Sequence, residues 1–233
     1  MKNVPNFITC LNLFAGCLAC ILALRFDSYL GALAFIVLAA IFDFLDGLSA
    51  RLLKSCSNTG KELDSLADVI SFGLAPGCIV YVYLDHLSYT MGIPPLAFFA
   101  FALPAFAALR LAKFNVDTRQ TTSFLGLPVP ANSLFWASFI PSLHYYVAVP
   151  PALLVAAVLA CLSVACWLMV SEVPMFSLKF KSLEWKANRW AYTLILLSLL
   201  LLGVSALLAM PLAGISLSVV AYIALSVIKN KKG

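Results

Sequence analysis

The chain has very little charge for its length. Only 11% of its 233 residues are Asp, Glu, Lys or Arg, and only ten residues are acidic. Soluble domains carry about 25% charged residues, so this composition excludes an ordinary soluble globular domain. Hydrophobic residues instead make up 63% of the sequence. We therefore predict an integral membrane protein.

The sequence also lacks low-complexity segments, convincing internal repeats and a recognisable cleavable leader. The first apolar stretch has no strongly basic leader and no obvious small-residue cleavage site, so we expect a retained helix there. Short connectors predict a single integral membrane domain over residues 1–233. Most of the seven cysteines lie inside apolar stretches, and we interpret them as small packing residues.

Eight apolar stretches account for most of the chain. They cover residues 5–25, 29–53, 63–85, 93–114, 130–148, 150–171, 190–209 and 211–228. Most approach the ~20 residues that a helix needs to cross the hydrocarbon core. The pair Pro150-Pro151 predicts a tight reversal between the fifth and sixth stretches. We expect an all-α, polytopic membrane helix bundle with about eight transmembrane helices.

The placement of Lys and Arg predicts how this bundle is oriented. Among fifteen such residues, only Arg25 falls on the opposite side from the rest when the eight stretches cross a bilayer. Both termini, and the loop after the second stretch, are therefore expected to face the cytoplasm from a bacterial-type inner membrane or a plasma membrane. The net charge of +5 then reflects topology and contact with anionic membrane lipid, not binding of nucleic acid.

Two polar intervals predict features at the cytoplasmic surface. The first is Asn115–Ser123, and Gly126, Pro128 and Pro130 after it predict a re-entry turn before the fifth span. The second is Lys179–Arg189, where charged residues alternate with apolar ones. That alternation predicts a short helix lying on the membrane surface.

Four aspartates interrupt the apolar pattern around the loop between the second and third stretches. They are Asp43, Asp46, Asp64 and Asp68. An ionisable side chain at the centre of a membrane helix costs on the order of 2.5–3.5 kcal/mol. Carboxylates this close together also repel one another unless cations lie between them. A divalent metal site explains both features, and it makes the chain an enzyme candidate.

Helical periodicity predicts that these carboxylates converge. Asp43 and Asp46 share one helical stripe, and Asp64 and Asp68 share another on the next helix. A hairpin of the two helices, within residues 40–80, would bring all four together near the cytoplasmic end. Ligands that offer only oxygen suit Mg²⁺ or Mn²⁺, with Ca²⁺ as a further candidate, rather than zinc.

Small and basic residues accompany the aspartates. Gly47 and Ala50 lie on the stripe of the first pair and leave a slot where a ligand can approach the backbone, and Arg51 lies at the rim, placed to meet phosphate. Each feature alone has an ordinary explanation. Small residues can allow two helices to pack closely, and basic residues can anchor a helix at the membrane surface. A single aspartate can cap a helix or relay protons. Their joint spacing favours a functional site.

The whole spacing resembles the signature of the CDP-alcohol phosphotransferase family, and every defining position is matched. It reads D-x-x-D-G-x-x-A-R-x8-G-x-x-x-D-x-x-x-D, starting at Asp43. The resemblance implies that two divalent cations hold the pyrophosphate of a CDP-linked donor. It implies metal ligands at Asp43, Asp46, Asp64 and Asp68, with Asp68 also the general base. The residues that it places beside the CDP moiety are Gly47, Ala50, Arg51 and Gly60.

Further stretches are similar to the membrane-integral phosphatidylserine synthases of that family. They are residues 5–16, 64–76, 108–116 and 126–131, so the likeness spans just over half of the chain. It implies transfer of a phosphatidyl group from CDP-diacylglycerol to L-serine, with release of CMP, by a homodimer. Lys113 departs from the pattern, since many relatives have arginine there and lysine lacks its bidentate geometry.

Two polar groups have roles that the residues alone leave open. The first is a stripe on the first helix, formed by Asn6, Thr9 and Asn12. It faces the nucleotide pocket or makes hydrogen bonds between helices. The second closes the fourth span and comprises Arg110, Lys113 and Asn115. It receives the carboxylate of serine, or a phosphate, or it is a set of ordinary basic anchors.

Two other functions also stay open. One is the sibling reaction with glycerol phosphate or inositol phosphate as the acceptor. The other is a cation-coupled transporter, because carboxylates within a membrane also mark ion paths. Transporters tend to have inverted repeats and midplane sites, whereas these aspartates lie toward one face in a single hairpin.

His86 and His144 are expected on the far side, and Glu172 has no assigned role.

Overall fold

The fold is a bundle of helices, several of which continue into one another. A computed structural model describes residues 3–55, 57–117, 124–176 and 185–231. Its first helices are α1 (Val4–Phe26), α2 (Tyr29–Leu52) and α3 (Asn58–Asp68), followed by a π-helical turn (Val69–Leu74), α4 (Ala75–Thr90), a 3₁₀ segment (Pro94–Phe101) and α5 (Ala102–Val116). The remaining helices are α6 (Val129–Tyr146), α7 (Pro151–Val170), α8 (Trp185–Leu207) and α9 (Pro211–Lys231). The expected all-α class is confirmed.

Seven helices within the described residues are long and apolar enough to cross a membrane. Two of these are continuous helices made of several segments, Asn58–Thr90 and Pro94–Val116. In the described part of the chain, α6 is the one long helix outside this set. The helix α6 contains several polar residues, among them Asn132 and Ser138. It packs against α2, α4 and α9, and the side chains of Trp136 and Ile140 are fully buried. Because other helices surround α6, it can keep polar groups that lipid would not solvate.

The turns between helices follow local sequence signals. The helix α6 ends at Tyr146 and α7 begins at Pro151, so the predicted reversal at the proline pair is confirmed. Proline suits the first turn of a helix because it has no N–H to leave unpaired there. At the start of α3, the hydroxyl of Ser57 accepts a hydrogen bond from the backbone N–H of Gly60 at 3.0 Å, which caps the helix.

A short two-stranded pairing joins the segments that precede α6 and follow α7. Strand β1 (Phe124–Leu125) pairs antiparallel with β2 (Pro174–Met175). Gly126 has a φ of +75° and donates its N–H to the carbonyl of Val173, which makes the expected re-entry turn. Residues 177–184 lie outside the described residues, so most of the predicted surface helix at Lys179–Arg189 stays a prediction.

Both termini of the described chain lie at the end of the bundle that contains the aspartates. Near the start of α1, the hydroxyl of Thr9 donates a hydrogen bond to a carboxylate oxygen of Asp46. Near the end of α9, the side-chain amide of Asn230 donates to the carbonyl of Pro174, which follows α7 at the same end. The cytoplasmic orientation of this end stays a prediction.

The two histidines lie at the opposite end, as expected. His86, on α4, is 3.9 Å from a carboxylate oxygen of Asp27 in the α1–α2 turn. The ring of His144, on α6, meets the ring of Tyr29 edge-on, with the ring centres 5.1 Å apart. Neither histidine therefore takes part in the chemistry of the aspartate end.

Close packing of α1 on the π-helical turn positions the deepest aspartate. A Cβ added at Gly16 would lie 2.7 Å from the Cα of Ser71, so only glycine allows the two segments to approach this closely. The hydroxyl of Ser71 donates a hydrogen bond to the backbone carbonyl of Asn12 at 2.9 Å. The π-helical turn begins directly after Asp68, so this contact holds the end of α3 against α1.

We expect Gly16→Ala to destabilise the protein, because overpacking a tight contact costs roughly 1–3 kcal/mol. The matched control is Gly203→Ala, since a Cβ at Gly203 would meet no atom within 4 Å. Thermal unfolding in detergent measures both. The midpoint should fall for Gly16→Ala and stay level or rise for Gly203→Ala. Equal midpoints for the two variants would contradict the close packing at Gly16.

Candidate metal and nucleotide site

Three carboxylates converge where α2 and α3 face each other. Asp43, Asp64 and Asp68 each offer an oxygen atom, and these atoms all lie within 4.8 Å of one another. No other set of three or more His, Cys, Asp or Glu residues in the described chain is grouped so as to hold a metal ion. For these three residues, the structure brings together what helical periodicity predicted.

Asp46 lies beside this group rather than in it. It is buried on α2, and its Oδ2 accepts a hydrogen bond from the hydroxyl of Thr9 at 2.6 Å. Thr9 also donates to the backbone carbonyl of Pro5, one turn earlier on α1. The fourth carboxylate is thus held by α1, and it borders the adjoining cavity together with Asp64.

Asp68 is the most deeply placed of the grouped carboxylates. Only 7% of it is exposed, and its Oδ1 accepts a hydrogen bond from the side-chain amide of Asn12 at 3.2 Å. The polar stripe on α1 therefore faces the aspartates. Sequence reasoning recognised the stripe but did not include Asn12 among the site residues. The spacing of Asn12 from Asn6 and Thr9 was the signal that could have identified it.

The residues present fit a divalent cation. The Oδ1 of Asp64 is buried and has no hydrogen-bond partner among the described residues. A buried polar atom without a partner costs free energy, and a bound cation would relieve that cost. The donor set consists of carboxylate oxygens alone, which hard cations such as Mg²⁺ and Mn²⁺ prefer over softer ligands. The group could therefore hold a metal ion.

A cavity of about 430 Å³ adjoins the carboxylates, between the start of α1, the end of α2 and the start of α3. Five of the residues predicted to border CDP line it, namely Asn6, Thr9, Gly47, Ala50 and Gly60. Sequence reasoning missed four other polar lining residues, which are Ser55, Ser57, Asn58 and Lys61. They lie in or next to the loop between the two helices, where no periodic pattern indicates which side chains point inward.

Two glycines shape this cavity. A Cβ added at Gly47 would meet no atom within 4 Å, so the predicted open slot on α2 is present. A Cβ at Gly60 would lie 3.1 Å from both the Oδ1 of Asn6 and the Oγ of Ser57. Glycine at position 60 therefore allows α1 and the start of α3 to approach each other.

Arg51 is placed differently from the other predicted CDP residues. Its side chain is exposed, and its Nε donates a hydrogen bond to the backbone carbonyl of Gly47 at 2.9 Å. It is not one of the described residues that line the cavity. The guanidinium folds back along α2 onto the backbone of Gly47, which itself lines the cavity.

The three polar residues at the end of α5 separate into two places. Arg110 and Lys113 line a second cavity of about 340 Å³, near the end of α7. Asn115 instead donates its side-chain amide to the hydroxyl of Ser65 on α3, and its carbonyl accepts from Lys61. Asn115 therefore attaches α5 to the helix that bears Asp64 and Asp68.

Arg110 is buried at the inner part of the second cavity. It lies on α5, which packs against the π-helical turn that directly follows Asp68. Tyr222, on α9, is also buried. The hydroxyl of Tyr222 donates to the carbonyl of Phe176, after β2. No sequence pattern indicated Tyr222, which is a single aromatic residue in an apolar stretch.

Several known proteins are similar to this chain over part of its length. The chain is 39% identical to the CDP-diacylglycerol–serine O-phosphatidyltransferase of Helicobacter pylori over 129 residues, 54% of this chain and 52% of that protein. It is 35% identical to the enzyme of the same name from Bacillus subtilis, covering 56% and 71% of the two chains. The chain thus spans about half the length of the Helicobacter pylori protein.

A third relative is the CDP-diacylglycerol–serine O-phosphatidyltransferase of Methanocaldococcus jannaschii, 34% identical over 62% of this chain and 63% of that one. The family model described as CDP-alcohol phosphatidyltransferase matches residues 2–176. That span includes the four aspartates and every lining residue named for the two cavities. Since the match also covers well over half of the chain, the protein belongs to the CDP-alcohol phosphatidyltransferase family.

Proposed function

We propose that the protein transfers the phosphatidyl group of CDP-diacylglycerol to the hydroxyl of L-serine, giving phosphatidylserine and CMP. The observation that carries this proposal is the group of aspartates that α2 and α3 bring together beside a cavity of about 430 Å³. The names of the relatives support serine as the acceptor.

In this proposal the four aspartates hold two divalent cations, Mg²⁺ or Mn²⁺, with Ca²⁺ as a further candidate. Asp43, Asp64 and Asp68 offer grouped oxygens, and Asp46 offers a carboxylate at the edge of the cavity. The chemistry that a bound pair of cations supplies is neutralisation of charge on the entering and leaving oxygens of an in-line displacement. The protein itself keeps the four carboxylates fixed and close together.

The cavity beside the aspartates would take the CDP moiety. The open slot at Gly47 and Ala50 leaves space for the nucleotide against the backbone of α2. Gly60 allows close approach on the side of α3, and Asn6 and Thr9 offer polar groups from α1. Arg51, at the rim, is available to phosphate.

Asp68 would act as the general base. The serine oxygen attacks the phosphorus attached to the lipid alcohol, the bond from that phosphorus to the bridging oxygen breaks, and CMP leaves with the electron pair. The proton of the serine hydroxyl passes to the carboxylate of Asp68, which Asn12 orients by its hydrogen bond. Arg110 and Lys113 would receive the carboxylate of serine, and Asn115 would hold α5 in place.

The membrane determines how the donor would reach the site and which side the site would face. Seven long apolar helices make this an integral membrane protein, so the acyl chains of the donor can enter sideways between helices. We propose that the aspartate end faces the cytoplasm, since every Lys and Arg residue except Arg25 lies in the segments expected at that end. We also propose a homodimer, which the family resemblance implies.

We expect the purified protein to release CMP from CDP-diacylglycerol only when L-serine and Mg²⁺ or Mn²⁺ are both present. The assay compares serine with glycerol phosphate and inositol phosphate, and chromatography of the lipid products identifies the acceptor. Product from glycerol phosphate and none from serine would overturn serine as the acceptor. Release of CMP in detergent needs no sealed compartment, so that result would exclude a cation-coupled transporter.

We expect Asp43→Ala and Asp68→Asn to lower turnover by at least about 10²-fold, because one removes a metal ligand and the other the base. Asp85→Asn is the matched control, since it makes the same chemical change near the far end of α4. Unchanged elution in detergent should show that all three variants fold. More than a trace of activity in Asp43→Ala would contradict its role as a metal ligand.

We expect Gly47→Leu to block binding of CDP-diacylglycerol, because the side chain would fill the open slot on α2. Gly203→Leu is the control, since position 203 is equally open but lies on α8. Donor titrations measure KM and, with a fluorescent nucleotide analogue, binding itself. If Gly47→Leu bound the donor as tightly as Gly203→Leu, CDP would not occupy this slot.

A further inference from the structure

The second cavity carries charges of both signs. It lies where α5 and α7 end, and its volume is about 340 Å³. The charged residues that line it are Arg110, Lys113, Asp117 and Glu172. We propose that this cavity selects a zwitterionic amino acid, with Asp117 and Glu172 binding its ammonium group. This inference rests on the proposed function and adds a basis for choosing the acceptor.

The strongest indication of a ligand is that Arg110 is buried and its Nε has no hydrogen-bond partner within the described chain. This residue is 7% exposed, it lines the cavity, and its Nε is buried without a hydrogen-bond partner among the described residues. A buried donor left unpaired is costly, and a guanidinium is well matched to the two oxygens of a carboxylate. The cavity is therefore built to receive an anionic group at its inner end.

The position of the cavity relative to the aspartates suits an acceptor. Arg110 lies on α5, which packs against the π-helical turn that directly follows Asp68, our proposed base. In an amino acid such as serine, the hydroxyl and the carboxylate are separated by only a few bonds. A carboxylate held by Arg110 would therefore leave the hydroxyl close enough to point toward Asp68.

The two acids come from separate elements and face the same cavity. Asp117 directly follows α5, and Glu172 lies between α7 and β2. The segment that bears Glu172 is held in place, because the carbonyl of Val173 accepts from Gly126 and that of Pro174 accepts from Asn230. Both carboxylates thus belong to residues that line the same cavity as Arg110.

This pairing of charges discriminates between acceptors. An amino acid carries one positive and one negative group, which match the acids and the cations of the cavity. A phosphomonoester carries about −1.5 to −2 charges at neutral pH and no ammonium group, so it would be repelled by both acids. The cavity therefore favours serine over glycerol phosphate, although both are alcohols.

The test neutralises the acids and varies the ligand. Asp117→Asn and Glu172→Gln are made singly and together, with Asp85→Asn as the control for loss of one carboxylate. We expect the KM for L-serine to rise about tenfold in the double variant, which corresponds to a loss of about 1.4 kcal/mol of binding free energy. The inhibition constant of 3-hydroxypropanoate, which is serine without its ammonium group, should not rise.

Several outcomes would overturn the inference. One is a KM for L-serine in the double variant within about twofold of wild type. Another is an equal loss of affinity for 3-hydroxypropanoate, which would indicate general damage to the cavity. The KM for CDP-diacylglycerol and the thermal midpoint report folding, and the single variants with calorimetric serine binding provide the test if the double variant unfolds.

The failure of this inference is distinguishable from failure of the proposed function. If the wild-type protein makes phosphatidylserine and the variants keep its serine KM, only the role of Asp117 and Glu172 is wrong. If the wild-type protein makes no phosphatidylserine, the function is wrong and the inference falls with it.

Discussion

Carboxylates gathered inside a membrane protein repel one another, and the arrangement of α1, α2 and α3 answers that constraint. The helix α1 supplies a donor to two of them, from Thr9 to Asp46 and from Asn12 to Asp68. Those hydrogen bonds require α1 to lie very close to the end of α3, which the absence of a side chain at Gly16 allows. The acidic group thus depends on a helix that contributes no acid to it.

The two cavities are formed by different helices. The nucleotide cavity is formed by the first three helices, and the second cavity by the ends of α5 and α7. Asp68 belongs to the carboxylate group, and the π-helical turn that follows it packs against α5, the helix that bears Arg110. In the proposed reaction, donor and acceptor would therefore arrive through separate cavities.

Helical periodicity predicted most of the site because its residues lie on regular helices. Spacing along α2 and α3 was enough to expect that Asp43, Asp64 and Asp68 converge. The same reasoning treated the end of α5 as one group, whereas the structure turns Asn115 toward α3 and away from Arg110. Which way a side chain points at the end of a helix depends on its neighbours, and the sequence does not specify them.

The sequence by itself determined that the chain is a membrane helix bundle with acids at one end, because hydropathy and spacing are properties of each segment alone. Only the tertiary structure decided that α6 is enclosed by α2, α4 and α9, and that Asn12 binds Asp68. It also decided that Asp117 and Glu172 share a cavity with Arg110. These are contacts between residues far apart in the chain, and they arise only when the helices pack.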